Sequence, residues 1–236
     1  MTVTTENLLK QNLASIHTEM ESACLRCGRS IVDVGLVAVT KYAEWEWVRC
    51  LSELHQTFGE NRPQQLAERQ VLLPGIGWHL IGQLQRNKVK LALQHATMIH
   101  SIDSLRLLER VAQVAADLQR RPRVLIQVNL SGESSKSGLD EEQLRHEWPR
   151  IVDYAAAVQI DGFMTMAAES DDPEDARPVF RSLRTLRDEL QQTDASRNAG
   201  LELRHLSMGM SGDFVPAIEE GATMIRIGSR IFAGLS

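Results

Sequence analysis

The sequence predicts an α/β fold, a parallel (β/α)8 TIM barrel that is preceded by an N-terminal helix. Three observations lead to this prediction. Short apolar or β-branched runs alternate along the chain with longer stretches of helical spacing, which is typical of repeated βα units. About eight such runs are present, whereas open doubly wound sheets more often have about five or six strands. The length of 236 residues is close to the ~250 residues of a typical barrel.

The elements follow one another at regular spacings, beginning with an amphipathic helix at residues 6–27. The predicted strands, each apolar in its middle, are residues 35–40, 56–59, 78–82, 98–101, 123–130, 159–165, 202–207 and 223–227. The predicted helices between and after them are residues 44–54, 62–72, 87–94, 104–120, 141–157, 173–192 and 214–220. No Pro-, Gly- or Ser-rich linker divides the chain, and the polar stretch 191–200 is interpreted as one loop. We therefore expect residues 1–236 to form a single domain.

Composition and charge narrow the class of protein. Hydrophobic residues make up 43% of the chain and charged residues 24%, which is typical of globular domains rather than disordered chains. The 26 basic and 31 acidic residues leave a net charge of −5, so we expect no broad basic surface and no nucleic-acid partner. No apolar run approaches the ~20 residues that cross a bilayer. We expect no membrane partner, and the polar residues 1–10 do not resemble a secretory signal.

The cysteines and histidines indicate neither disulfides nor a metal site. Cys24, Cys27 and Cys50 are odd in number, which suits a reducing compartment, and we expect a cytoplasmic protein. Cys24 and Cys27 form a CxxC motif without a second pair, and the seven histidines show no metal-ligand spacing. No metal site is therefore predicted.

Polar side chains stand at or near the ends of several predicted strands. They are Lys41, Asn61, His79, Asn129, Ser207 and Arg226. In a (β/α)8 barrel the carboxyl ends of all strands share one mouth, where active sites lie. We therefore expect these residues, which are far apart in the sequence, to be neighbours in the fold.

Lys41 directly follows an apolar strand, so its ammonium group emerges at the mouth of the predicted barrel. Such a lysine either extends to water or acts as a desolvated nucleophile that forms a Schiff base. The position alone favours the first interpretation, because lysine is common at strand ends.

Two loops rich in glycine and serine follow the last two predicted strands, at residues 207–213 and 226–229. Glycine lets backbone N–H groups approach an anion, and the hydroxyls of Ser207, Ser211 and Ser229 add donors. One such loop is explained by an ordinary glycine turn. Two of them, where barrels often bind phosphate, favour a phosphate site. An amine and a phosphate site at one mouth suggest a phosphorylated aldehyde, such as pyridoxal phosphate (PLP), or a phosphorylated sugar.

Seven segments carry a resemblance to a known family. They are residues 37–41 (VAVTK), 58–61 (FGEN), 78–88 (WHLIGQLQRNK), 128–138 (VNLSGESSKSG), 162–166 (GFMTM), 206–213 (LSMGMSGD) and 225–229 (IRIGS). In this order they look like the pyridoxal phosphate homeostasis protein family, which is single-domain and similar to the N-terminal barrel of alanine racemase. The likeness extends over about residues 36–232.

The resemblance implies a fold-type III barrel that binds PLP. Lys41 would hold the cofactor as a Schiff base, and Arg226 would face the pyridine nitrogen. Ser211, Gly228 and Ser229 match phosphate contacts of the family, with Ser207 and Met208 close by. Asn61, His79 and Met164 would line the rest of the pocket.

An arginine opposite the pyridine nitrogen disfavours protonation of that nitrogen and leaves a weak electron sink. Racemisation also needs an acid/base group on each face of the Schiff base. In the similar racemases the second group is a tyrosine supplied by an additional C-terminal domain of a partner subunit. Here Tyr42 follows Lys41 directly, where strand alternation would turn it away, and Tyr154 lies in a predicted helix.

The resemblance, together with these features, implies a PLP-binding protein that acts in intracellular vitamin B6 and amino-acid homeostasis, without catalytic residues. The alternative is a PLP-dependent amino-acid racemase with weak activity. A sugar-phosphate aldolase is a more distant alternative, because it would need its lysine on a late strand. The expected partners are PLP and apo PLP-dependent enzymes, and the expected state is a monomer.

Overall fold

A computed structural model describes residues 4–131 and 137–235 of the chain. Its strands form a closed barrel in chain order, and β1 pairs in parallel with β8 to close it. The strands are β1 (Gly35–Val39), β2 (Thr57–Glu60), β3 (Gly77–Leu80), β4 (Met98–Ile102), β5 (Arg123–Gln127), β6 (Gln159–Met164), β7 (His205–Ser207) and β8 (Met224–Ile227). The predicted (β/α)8 architecture is confirmed.

Helices precede the barrel and connect its strands. They are α1 (Thr5–Arg26), α2 (Trp45–Ser52), α3 (Pro63–Leu72), α4 (Val89–His95), α5 (Leu105–Asp117), α6 (Glu141–Val152), α7 (Arg177–Gln191), α8 (Asp194–Asn198) and α9 (Phe214–Glu219). Short 3-10 turns lie at Ile31–Asp33, Arg86–Lys88, Asp153–Ala156 and Pro173–Ala176. In the described parts of the chain, no helix combines the length and the apolar character that crossing a membrane requires.

Each strand presents alternate side chains to the surrounding helices and to the barrel interior. Leu36 and Ala38 of β1 belong to the large buried cluster that joins the strands to the helices. A separate buried cluster consists of Met98, Leu125, Met164 and Met224. These four side chains come from four different strands, so the second cluster fills part of the barrel interior.

Helix α1 anchors the chain that follows the last strand. Thr4 caps this helix by accepting a hydrogen bond from the Asn7 backbone N–H at 3.3 Å. The Asn12 side-chain amide donates to the carbonyl oxygen of Ile231 at 2.9 Å, and Arg230 forms an ion pair with Glu19. The N-terminal helix therefore holds the segment that leaves β8 at the barrel mouth.

Two predicted strands are each three residues too long, and the reasons are specific hydrogen bonds. The predicted strand 202–207 begins only at His205, because the Gln191 side chain bonds the Leu203 N–H at 2.7 Å and the Leu201 carbonyl at 2.6 Å. The predicted strand 123–130 ends at Gln127, where the chain turns to pair with Leu139. At these two places the backbone therefore bonds to α7 or to the segment before α6, and not to a neighbouring strand of the barrel.

The prediction of a single loop at residues 191–200 is wrong, because helix α8 forms there. Thr193 caps the helix by accepting a hydrogen bond from the Ser196 N–H at 3.3 Å. The buried Ser196 hydroxyl also accepts a hydrogen bond from Trp148 Nε1 at 3.0 Å. The capping threonine was the sequence signal for this short helix.

Candidate functional site

The first and last strands bring the two predicted halves of the site together. Val37 pairs with Arg226 and Ala38 pairs with Ile227. The backbones then stay close, because a Cβ placed on Gly228 would lie 3.3 Å from the Val39 carbonyl oxygen. Lys41 and the 228–229 loop therefore leave the barrel side by side at its carboxyl end.

Lys41 lies in a turn just beyond β1. The Ala43 N–H donates to the Thr40 carbonyl at 2.9 Å, and this bond closes the turn around Lys41 and Tyr42. The Lys41 Nζ lies 5.0 Å from the centroid of the Tyr42 ring, and Tyr42 is 87% exposed. The prediction that strand alternation turns Tyr42 away is wrong, because the strand has already ended at Val39.

A buried arginine from α3 fixes the turn around Lys41. Arg69 Nη1 donates to the Thr40 carbonyl at 2.7 Å, and its Nη2 donates to the Ala43 carbonyl at 3.0 Å. The same guanidinium pairs with Glu60 at 2.5 Å, and the Thr40 hydroxyl donates to that carboxylate. Burial raises the pKa of Glu60, and the Thr40 hydrogen bond and Arg69 oppose this shift.

We call Arg69 and Glu60, which together hold the turn around Lys41, the Arg69–Glu60 clamp. Sequence reasoning missed it. Arg69 lies on the apolar side of a predicted helix and Glu60 ends a predicted strand. A charged residue at each of these buried positions was the available signal, since such residues are rarely buried unless they are paired.

The loops after β7 and β8 meet at the mouth. Gly209 has φ +91°, and a Cβ there would lie 2.6 Å from the Ala217 Cβ, so this turn requires glycine. The Ser211 hydroxyl accepts a hydrogen bond from the Gly228 N–H at 3.4 Å. Ser211, Gly228 and Ser229 are therefore brought together as predicted.

Several backbone donors of these loops are left for a ligand. Within residues 4–131 and 137–235, the N–H groups of Ser211, Gly212 and Ser229 have no protein acceptor. Ser229 is also exposed. A group of free N–H donors together with two hydroxyls suits a phosphate.

Arg226 is a buried cation at the end of the barrel interior. Its Nη1 donates to the Ser207 hydroxyl at 2.7 Å and its Nη2 donates to the Thr165 carbonyl at 3.0 Å. Among the described residues no carboxylate forms an ion pair with it. Burial lowers the pKa of Arg226 to about 10, with Asp213 opposing the shift. The side chain therefore stays charged at neutral pH and can only donate hydrogen bonds.

His79 does not stand at the mouth, which corrects the prediction for this residue. Leu80 ends β3, and His79 Nδ1 lies 3.0 Å from Nε2 of His100 inside the barrel. Its side chain lines a cavity at the amino end of the barrel, together with the first residues of β1 and β8. His100, which sequence reasoning missed, is fully buried and bonds the Ser207 hydroxyl at 2.9 Å.

The other predicted residues lie around these groups. Asn61 follows β2, and a Cβ on Gly82 would approach its carbonyl oxygen to 2.3 Å, so the loops after β2 and β3 are in contact. Met164 packs inside the barrel. Met208 packs in the layer between strands and helices, so its side chain does not face the barrel interior. In the motif 128–138, Gly132 to Lys136 lie outside the described residues.

Comparisons with known proteins show what this chain is similar to. Residues 13–235 match the family model for the alanine racemase N-terminal domain. The pyridoxal phosphate homeostasis protein of Aquifex aeolicus is 37% identical over 225 residues, covering 94% of this chain and 96% of that protein. Alanine racemase of Clostridium difficile, at 14% identity and a TM-score of 0.69, covers 95% of this chain and 56% of its own, and it shares the fold.

The structure of PipY from Synechococcus elongatus, solved with PLP bound, is 36% identical. It superposes with a TM-score of 0.81 and covers 95% of this chain and 100% of its own. These matches extend over nearly the whole chain, and the superposition agrees with the barrel fold. The chain therefore belongs to the pyridoxal phosphate homeostasis protein family and carries the alanine racemase N-terminal domain.

Proposed function

We propose that this protein binds PLP at the carboxyl end of its barrel and serves intracellular PLP and amino-acid homeostasis. The observation that carries the proposal is Arg226, a buried cation without a carboxylate partner among the described residues. It lies on β8, which pairs with β1, the strand that leads into the Lys41 turn. A buried charge is costly unless it is paired. An electron-rich ligand at this end of the barrel would accept its hydrogen bonds.

The residues at the mouth fit the three functional parts of PLP. Lys41 Nζ adds to the aldehyde carbon, water leaves, and a C=N bond forms as a Schiff base. Ser211 and Ser229 bind the phosphate through their hydroxyls and, together with Gly212, through free backbone N–H groups. The Gly228 backbone lies beside them and donates to the Ser211 hydroxyl. Arg226 donates to the unprotonated ring nitrogen. PipY, which is similar to this chain over most of its length, was solved with PLP bound.

We further propose that the protein holds PLP without turning over a substrate. A cation opposite the ring nitrogen disfavours its protonation, so the ring withdraws electrons weakly. The relatives that match nearly the full chain carry the name of a homeostasis protein, and that name supports a binding role. A cytoplasmic monomer that supplies PLP to apo-enzymes is the form in which we expect it to act.

A weak amino-acid racemase is the second candidate, and the position of Tyr42 beside Lys41 favours it. In this reading the Tyr42 hydroxyl would be the second acid/base group. Against it, the exposed Tyr42 ring lies in the same turn as Lys41, whereas racemisation needs groups on opposite faces of the C=N bond.

Two measurements on the PLP-loaded protein test these alternatives. The PLP-loaded protein is incubated with D- or L-alanine in deuterated water, and the exchange of the alanine α-proton for deuterium is followed by NMR. The binding proposal expects no sustained exchange, whereas turnover that Tyr42→Phe abolishes would establish the racemase instead. Reactivation of an apo-enzyme is then compared with free dissociation of PLP. A rate that rises with acceptor concentration supports direct delivery, and a rate limited by dissociation contradicts it.

A further inference from the structure

Three polar side chains form a continuous hydrogen-bonded row inside the barrel. His79 Nδ1 lies 3.0 Å from His100 Nε2, and His100 Nδ1 lies 2.9 Å from the Ser207 hydroxyl oxygen. That oxygen accepts a hydrogen bond from Arg226 Nη1 at 2.7 Å. We call His79, His100 and Ser207 the interior relay.

The interior relay runs along the barrel from one end to the other. His79 lines the amino-end cavity, which has a volume of about 600 Å3 and is also bordered by the first residues of β1, β2, β7 and β8. His100 lies further along, because its neighbour two positions earlier, Met98, is level with His79. Likewise, Ser207 is level with Met224, two positions before Arg226. The relay thus links the amino-end cavity to the cation at the mouth.

The chemistry of the four groups determines the direction of every hydrogen bond. Arg226 can only donate, so the Ser207 oxygen accepts from it. Within the described residues, His100 Nδ1 is the remaining acceptor for the Ser207 hydroxyl proton. His100 then carries its proton on Nε2 and donates to His79 Nδ1. His79 consequently carries its own proton on Nε2.

The opposite direction of the hydrogen bonds along the relay is unfavourable. If His79 and His100 each carried the proton on Nδ1, the Ser207 oxygen would receive two donors. Its own proton would have no acceptor in a fully buried position. Leaving a buried donor unsatisfied costs about 1–3 kcal/mol. The donor-only character of Arg226 therefore selects one tautomer for both histidines.

The surroundings keep both rings neutral. The pKa of His79 is lowered to about 4, chiefly by burial and also by the nearby Arg123 and His205. Burial also lowers the pKa of His100 well below its usual value, with His79, Arg226, His205 and Arg123 contributing. A second proton on His79 would also set its Nδ1–H against the Nε2–H of His100. A second proton on His100 would take away the acceptor of the Ser207 hydroxyl proton.

We propose that the interior relay is a positioning device for Arg226, and that His100 is the residue that sets it. The Ser207 oxygen is held with its lone pairs toward Arg226 because its proton is committed to His100. The guanidinium is then fixed between Ser207 and the Thr165 carbonyl, with its remaining N–H groups free for the cofactor ring. This inference rests on the proposed function, in which Arg226 donates to the ring nitrogen of PLP.

The first test needs no cofactor and therefore separates this inference from the proposed function. The ring nitrogens are observed by 15N NMR in the cofactor-free protein, with His79→Gln and His100→Gln used to assign them. We expect both histidines to carry the proton on Nε2. We also expect both to remain neutral between about pH 8 and about pH 5, a range in which an ordinary histidine takes up a second proton. A proton on Nδ1 of either ring, or titration near pH 6.5, would overturn the assigned direction.

The second test uses His100→Leu and His100→Gln in the PLP-loaded protein. Glutamine offers one acceptor for Ser207 and one donor for His79, so it rebuilds the row, whereas leucine cannot. His55→Leu is the matched control, because His55 is a half-buried histidine that bonds the Leu36 carbonyl at 2.9 Å outside the relay. Circular dichroism melts establish that each variant is folded, and Ser207→Ala replaces His100→Leu if the latter does not fold.

The readouts are the pH profile of the imine absorption band and the retention of PLP. We expect His100→Leu to shift the profile and to weaken retention about 3- to 10-fold, which corresponds to one neutral hydrogen bond. His100→Gln should restore most of the wild-type pH profile and most of the PLP retention. His55→Leu should leave the pH profile and the retention unchanged. If His100→Leu or Ser207→Ala gives the wild-type profile and retention, the positioning role is wrong.

Discussion

Arg69 and Glu60 form an ion pair, with Nη1 2.5 Å from Oε1, in which both side chains are almost completely buried. The same guanidinium holds the carbonyl oxygens on either side of Lys41 and Tyr42. The pair therefore connects the stability of the barrel to the geometry of the proposed PLP-binding turn.

Arg69→Met should destabilise the protein strongly. The variant leaves the Glu60 carboxylate buried without its partner, which typically costs about 3–5 kcal/mol in the free energy of unfolding. Urea denaturation measures this loss. The control is Arg145→Met, which breaks the exposed pairs with Glu141 and Glu189 and should cost less than about 1 kcal/mol. A similar loss of unfolding free energy in the two variants would show that the Arg69–Glu60 clamp does not stabilise the fold as a buried ion pair.

Lys41→Ala should abolish the imine absorption band of the PLP-loaded protein, because it removes the amine that forms the C=N bond. Arg86→Ala is the control, since Arg86 is an exposed cation in the 3-10 turn before α4. It should leave the spectrum unchanged. A wild-type spectrum in Lys41→Ala would refute the assignment of the binding lysine.

Ser211→Ala and Ser229→Ala should each weaken PLP retention without preventing folding. A hydrogen bond to a charged group contributes about 1.5–3 kcal/mol, which is roughly a tenfold to a hundredfold change in dissociation constant. Absorbance during dialysis measures it. Ser22→Ala serves as the control, because it removes an exposed hydroxyl that bonds only the Thr18 carbonyl within α1. If both loop variants retain PLP as the wild type does, the phosphate site lies elsewhere.

His79 should make the protein less stable in mild acid. Its pKa is about 4 in the folded protein, below the usual value of 6.5, so between these values the unfolded chain binds the additional proton. Stability is therefore complete above about pH 6.5 and falls as the pH decreases toward 4, by about 3 kcal/mol for a shift of this size.

Urea midpoints at pH 7 and pH 5 compare the wild type with His79→Gln. The variant lacks the titrating ring, so the difference between its two midpoints should be smaller than that of the wild type. Carboxylates contribute equally to both proteins and cancel in the comparison. Equal pH dependence in the two proteins would show that His79 is not held neutral in the fold.

Much of the fold follows from local patterns. Each strand of a parallel barrel is covered on both faces, and the resulting apolar runs are visible without any tertiary information. Strand lengths are harder to predict from the sequence, because β7 is shortened by hydrogen bonds from Gln191 and β5 ends where the chain pairs with Leu139. Such bonds join residues whose proximity depends on the completed barrel.

The sequence by itself determined the order of the elements, the motif around Lys41 and the two glycine loops, since these depend on neighbouring residues. Only the tertiary structure decided that Arg69 encloses the Lys41 turn, and that His79 faces inward to His100 instead of standing at the mouth. Both outcomes depend on which side chains meet across strands and helices when the barrel closes. A hydrogen bond between distant residues forms only when the whole sheet sets their separation.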